Sequence, residues 1–168
     1  MNRQTGFTII ELMITMILIA VVAAVAVPSF RTMVQNNRIA TQANAFITAI
    51  NLARSEAVKR GRDVYVSSTS GDTAWGGGWR LWVDDNGNGS EDASELLRVF
   101  EALEGGSTLT SVNGHTEVRY LANGYIFLAS AGDPVPTFEL RIPDCTGDSA
   151  RDIEINFVGR PSVTRASC

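Results

Sequence analysis

Histidine and cysteine are almost missing from this chain of 168 residues, which has one histidine, His115, and two cysteines, Cys145 and Cys168. A structural zinc needs four such ligands, and only three are on offer. His115 stands beside a turn with no serine or cysteine signature near it, and the carboxylates form no recognisable catalytic pair, so an enzyme is not expected. Charge is missing too: between residues 7 and 27 only Thr8, Glu11 and Thr15 are polar. Positive charge is then scarce beyond residue 60. Residues 61–168 hold eight arginines against sixteen acids, net −8, while residues 1–60 carry net +4. Such an acidic portion repels phosphate backbones, which disfavours nucleic acid as a partner.

What is there begins with Gly6-Phe7-Thr8-Ile9-Ile10-Glu11-Leu12-Met13 and the apolar run it opens. About 20 such residues cross a bilayer core, and in lipid the backbone must satisfy its own hydrogen bonds, so the run is a helix. Arg3, in the polar leader 1–6, holds that end in the cytoplasm. The run is longer than a signal-peptide core, and no small-x-small cleavage site follows it. Glu11 is the oddity. A carboxylate near the start of a membrane span is costly unless paired or close to the interface, which marks it as functional.

This motif resembles the processing site of type IV pilins and type II secretion pseudopilins. The resemblance implies cleavage after Gly6 by a prepilin peptidase and methylation of the new terminus, Phe7. It also implies that Glu11 pairs with the terminal amine of a neighbouring subunit and sets the register of assembly. Two charges that are each costly in low dielectric are cheaper together.

Past Pro28 the helical period returns. Ala43, Phe46, Ile47, Ile50, Ala53 and Ala57 make an apolar stripe, with Gln42, Asn44, Asn51 and Arg54 off it. Lys59, Arg60 and Gly61 form a good helix end. The chain therefore divides into a leader 1–6, a membrane or filament-core helix 7–27, an amphipathic continuation 28–60, and a β-rich head 61–168 outside the cytoplasm. The octet Ala53-Arg54-Ser55-Glu56-Ala57-Val58-Lys59-Arg60 resembles the helix end of the FimT/FimU minor pilins and the H-type pseudopilins. Read alone, Arg54 and Glu56 are charges on a solvated face.

Beyond Gly61 come short alternating runs: 63–67, 79–83, 96–100, 117–120, 125–128, 137–142 and 152–157 read as strands. Phe138, Leu140 and Ile142 share one face, as do Ile153, Ile155 and Phe157. No crossover helix separates the strands, so the pairing is antiparallel. Asn113-Gly114 and Asn123-Gly124 are turns. The fold class is α+β, a long N-terminal helix packed on an antiparallel, sandwich-like head. An even pair of cysteines outside the cytoplasm reads as a disulfide, Cys145 to Cys168.

Three segments stay outside that frame. Gly76-Gly77-Gly78 lacks the lysine of a phosphate loop and reads as a flexible turn, its Gly78-Trp79 matching the family. The stretch 84–95 fits a calcium loop, with Asp84, Asn86, Asn88, the Ser90 carbonyl and Glu95 as ligands. Its Asn-Gly pairs serve a plain hairpin equally, the reading that the family resemblance favours, and no cofactor is otherwise implied. Lastly, Gly159-Arg160 resembles the Gly-Arg-x-Arg element that in some FimT-like proteins is linked to DNA binding. Here Pro161 and Ser162 follow, and the next cation is Arg165. Two arginines reach few phosphates, so Arg160 and Arg165 are the weaker DNA candidates.

Taken together, the resemblance implies a minor type IV pilin of the FimT/FimU kind, held in the bacterial inner membrane and then assembled into or at the tip of a pilus. Its partners would be the prepilin peptidase, other minor and major pilins and the inner-membrane assembly platform. The alternatives are an H-type pseudopilin of a type II secretion system and a DNA-binding minor pilin.

Overall fold

A computed structural model describes residues 7–130 and 132–168. One helix, α1 (Ile9–Arg60), runs for 52 residues and includes Pro28. The chain divides into two compact units, Met1–Asn37 and Arg38–Cys168. In the first, every side chain from residue 7 to 34 is exposed. This part of α1 is long and apolar enough to cross a membrane.

In the second unit, α1 buries Ile39, Gln42, Ala43, Phe46, Ala49, Ile50, Ala53 and Ala57. These fall at intervals of three and four, one face of a helix. Two members of the expected pattern change places. Ile47 is only half-buried, while Gln42 lies on the stripe and donates from Nε2 to the Glu104 carbonyl at 2.9 Å. A glutamine is tolerated in the core because its amide finds that carbonyl. Gly61 ends the helix as expected, its N–H returning to the Ala57 carbonyl at 2.9 Å.

Eight strands follow: β1 (Val64–Ser68), β2 (Trp79–Val83), β3 (Leu96–Phe100), β4 (Thr108–Ser111), β5 (Glu117–Tyr120), β6 (Thr137–Arg141), β7 (Ala150–Ile155) and β8 (Pro161–Ala166). They form two four-stranded sheets, ordered β3-β2-β1-β5 and β4-β6-β7-β8. Every pairing is antiparallel. Both sheets and the α1 stripe share one core. Phe46 stands at its centre, edge-on to Trp75, Trp79 and Phe138 with ring centroids 4.9–5.7 Å away.

Several expected strands shift. Residues 125–128 make no ladder, because their N–H groups go to different partners: Ile126 to the Phe157 carbonyl and Phe127 to that of Arg119. Ile126 still packs into the core, and Phe127 lies under the Arg119 guanidinium. β7 ends at Ile155. Phe157 falls in the following turn and is exposed, off the face of Ile153 and Ile155. The short β4 and the edge strand β8 had no apolar alternation to betray them. Pro161, with no N–H to give, opens β8 as an edge position allows. The glycine tract is not a flexible turn. It belongs to a 3-10 turn at Trp75–Gly77, and a Cβ on Gly78 would meet the Phe100 carbonyl at 2.5 Å.

Candidate functional site

Gly6, the expected cleavage residue, lies outside the described residues. Phe7 follows, highly exposed, and the helix start is built by the next four residues. The Glu11 N–H donates to Thr8 Oγ1 at 3.2 Å, and the Thr8 N–H donates to Glu11 Oε2 at 3.5 Å. This reciprocal pair is a capping box, which occupies two N–H groups that an α-helix leaves unpaired at its start. Sequence reasoning took Glu11 only as an assembly residue, although the Thr-x-x-Glu spacing signalled the cap as well. Glu11 has no ion-pair partner among the described residues. A carboxylate poised there can accept a cation brought from outside the chain.

The octet at the other end of α1 acquires a physical account. Ala53 and Ala57 are fully buried. Arg54 is half-buried rather than solvated, and its Nε donates to the Gly124 carbonyl at 3.0 Å. The turn at Gly124 abuts the turn at Gly159: a Cβ on Gly159 would meet the Gly124 carbonyl at 2.5 Å, and its φ is +78°. Only glycine fits there. The Tyr120 hydroxyl, buried beneath, donates to the Gly159 carbonyl at 3.1 Å. Burial pushes that phenol well above its ordinary pKa. Glu56 accepts from Arg60 Nε at 2.7 Å and faces Lys59 at 3.6 Å; the bond from Arg60 holds its carboxyl below the usual range. The octet is therefore a joint between the helix end and two turns of the head.

The stretch 84–95 joins β2 to β3. Asp84 and Glu95 are buried, whereas Asn86 and Asn88 are exposed. Glu95 accepts from the N–H groups of Asp85, Asn86 and Asp92, and Asp84 Oδ2 from that of Gly89. The four expected ligand side chains belong to one loop whose carboxylates are taken up by backbone N–H groups, and among the described residues no three His, Cys, Asp or Glu side chains form a metal-binding group.

Arg160 and Arg165 are not brought together. Arg160 lies just ahead of β8, whereas Arg165 lies within it, five residues on and paired with Arg151 of β7. Both are exposed. Cys145 and Cys168 are bonded, with Cα atoms 5.6 Å apart. The His115 ring meets the Pro134 carbonyl at 3.1 Å, and its backbone carbonyl accepts from Trp75 Nε1. Those contacts tie loops to the core.

An exposed apolar helix that opens on a capped carboxylate, and continues into a two-sheet head whose core it completes, defines a class of helix-anchored assembly subunits. The profile of the type II transport protein GspH matches residues 42–159, and that of the prokaryotic N-terminal methylation motif matches residues 1–27. The chain belongs to the GspH family. It is 26% identical over 135 residues to a fimbrial protein of Pseudomonas aeruginosa, covering 80% of this chain and 84% of that relative. Its fold is similar to that of the type IV minor pilin FimU of Pseudomonas aeruginosa in two crystal forms. The TM-scores are 0.64 and 0.58 at 23% identity, covering 79% and 77% of this chain and 96% and 97% of those chains.

Proposed function

We propose that this chain is a minor type IV pilin that supports pilus biogenesis. It is made as an inner-membrane precursor with its head in the periplasm. A prepilin peptidase cuts it after Gly6 and methylates Phe7, and it then joins other pilins in or at the tip of the fibre. One observation carries this reading: α1 opens with side chains that are all exposed from residue 7 to 34, and the head's core draws on α1 only from Ile39 onward. So much apolar surface has to be covered by lipid before assembly and by neighbouring helices after it. Glu11, without an ion-pair partner among the described residues, supplies the register contact. The work is assembly and involves no chemistry on a substrate.

The family profile favours a second reading, a minor pseudopilin of a type II secretion system, which would use the same helix and head. Surface filaments counted by electron microscopy in a strain lacking this chain distinguish the two. Pili should vanish or fall sharply and return on complementation. Intact pili with impaired export of folded proteins would establish the pseudopilin instead, and intact pili with normal export would overturn both.

A further inference from the structure

We propose that Arg31 is a phosphate anchor that fixes the depth of α1 in the bilayer. Its guanidinium bonds lipid phosphates of the periplasmic leaflet, while Glu11 lies at the opposite headgroup layer. The inference rests on the membrane reading of α1 given above and adds a second boundary to it. Residues 12–30 carry no charge, and the first charges on either side are Glu11 and Arg31. They stand 20 residues apart in one continuous helix. At about 1.5 Å per residue that is ~30 Å, the thickness of a bilayer's hydrocarbon core. The stretch between them asks little of water. Its side chains are exposed and apolar but for Thr15 and Ser29, and the Thr15 hydroxyl donates to the Leu12 carbonyl at 2.8 Å. Just past the boundary, Thr32 turns its hydroxyl back in the same way, to the Pro28 carbonyl at 3.2 Å.

Arg31 is exposed and has no ion-pair partner among the described residues. A bare guanidinium is costly in hydrocarbon, and its long stem lets it reach outward to the headgroups. Its planar fork matches phosphate oxygens in a bidentate pair. The two ends of the span differ in reach. The glutamate side chain is short, and Glu11 Oε2 is already held by the Thr8 N–H of the capping box. That carboxylate has to lie at the interface itself. Movement of α1 toward the periplasm would draw it into hydrocarbon, and movement the other way would draw in Arg31. The span is therefore stopped from both sides. Cleavage after Gly6 removes Arg3, the flanking cation of the leader, and leaves Arg31 as the side-chain cation that bounds the mature span. The next one, Arg38, comes seven residues later, about 10 Å further along a helix.

The full chain, reconstituted with its disulfide oxidised in vesicles of phosphatidylethanolamine and phosphatidylglycerol, tests this by electron paramagnetic resonance. A nitroxide on Val34→Cys reports depth from its relative exposure to oxygen, which enters lipid, and to a water-soluble nickel chelate. In the otherwise native chain the label should sit at the headgroup level. Arg31→Leu should carry it about 5 Å deeper, one helix turn, until Gln35, Asn36 and Asn37 reach the headgroups. Arg31→Lys should hold the native depth, because an ammonium reaches the same phosphates. A depth unchanged in Arg31→Leu overturns the proposal, as does an equal shift in Arg31→Lys. A second label, on Val21→Cys, separates those results from failure of the membrane reading. It should be shielded from the nickel chelate in every variant; free access there means that α1 does not span, and both readings fall.

Discussion

Tyr120 lies where β5 meets two turns, and its single hydroxyl bond reaches the Gly159 carbonyl 39 residues away. Replacing it by phenylalanine keeps the packing but leaves that carbonyl unpaired, at a cost of about 1 kcal/mol near neutral pH. The pH dependence has a definite sign. Burial raises the folded phenol's pKa above the ordinary value near 10, so its stabilisation is complete below pH ~10 and is lost as pH rises from there toward the folded value. Chemical denaturation between pH 8 and 11 should show a stability loss in the native chain that is smaller in Tyr120→Phe. An equal loss in both would remove Tyr120 from the account. Tyr65, raised in the same direction by burial, contributes to the loss that persists in that variant. Residues of this kind are the least legible in sequence. Arg54 and Gly159 look like a surface charge and a turn residue, and only the meeting of three distant segments gives them their partners.

Legibility rises at the scale of the element. The long helix, its glycine stop and the Phe138-Leu140-Ile142 face follow from apolar period alone. β4 and β8 escaped because an edge or short strand rich in serine and threonine carries little alternation, and residues 125–128 misled because their apolar side chains are packed without a ladder. At the start of α1, Glu11 caps the helix and has no ion-pair partner among the described residues. The chain with Glu11→Ala should be cut after Gly6, as terminal mass spectrometry would show, yet be largely absent from filaments labelled with antibody. Normal incorporation would sink the register role. The lost cap interaction alone costs about 0.3–1 kcal/mol, too little to unfold a 52-residue helix.

For the molecule as a whole, the disulfide closes the last sheet. Cys145 follows β6, Cys168 follows β8, and the Arg141 guanidinium holds the Ser167 and Cys168 carbonyls at 3.2 and 2.9 Å. Closing a loop with a sequence separation of 23 stabilises by roughly 3–4 kcal/mol on the chain-entropy model. Cys145→Ser with Cys168→Ser should therefore lower Tm by about 10 °C, read by near-ultraviolet dichroism. A fall under about 2 °C would show that the edge strand stands without it. Two cysteines in a head expected outside the cytoplasm made this bond readable, and alternating strands beside an apolar helix stripe did the same for the packing of helix on sheets, whereas the strand order within each sheet was not readable.

The exposure of residues 7–34 also bears on how the chain evolves. A substitution in that segment disturbs no buried packing of its own subunit. Beyond the helix itself and its Thr8–Glu11 capping box, whatever holds that sequence in place acts from outside the subunit. The head answers instead to its own core, from Ile39 to Ile155. Two kinds of constraint therefore meet along a single continuous helix, one from the head it packs on and one from whatever covers its exposed part.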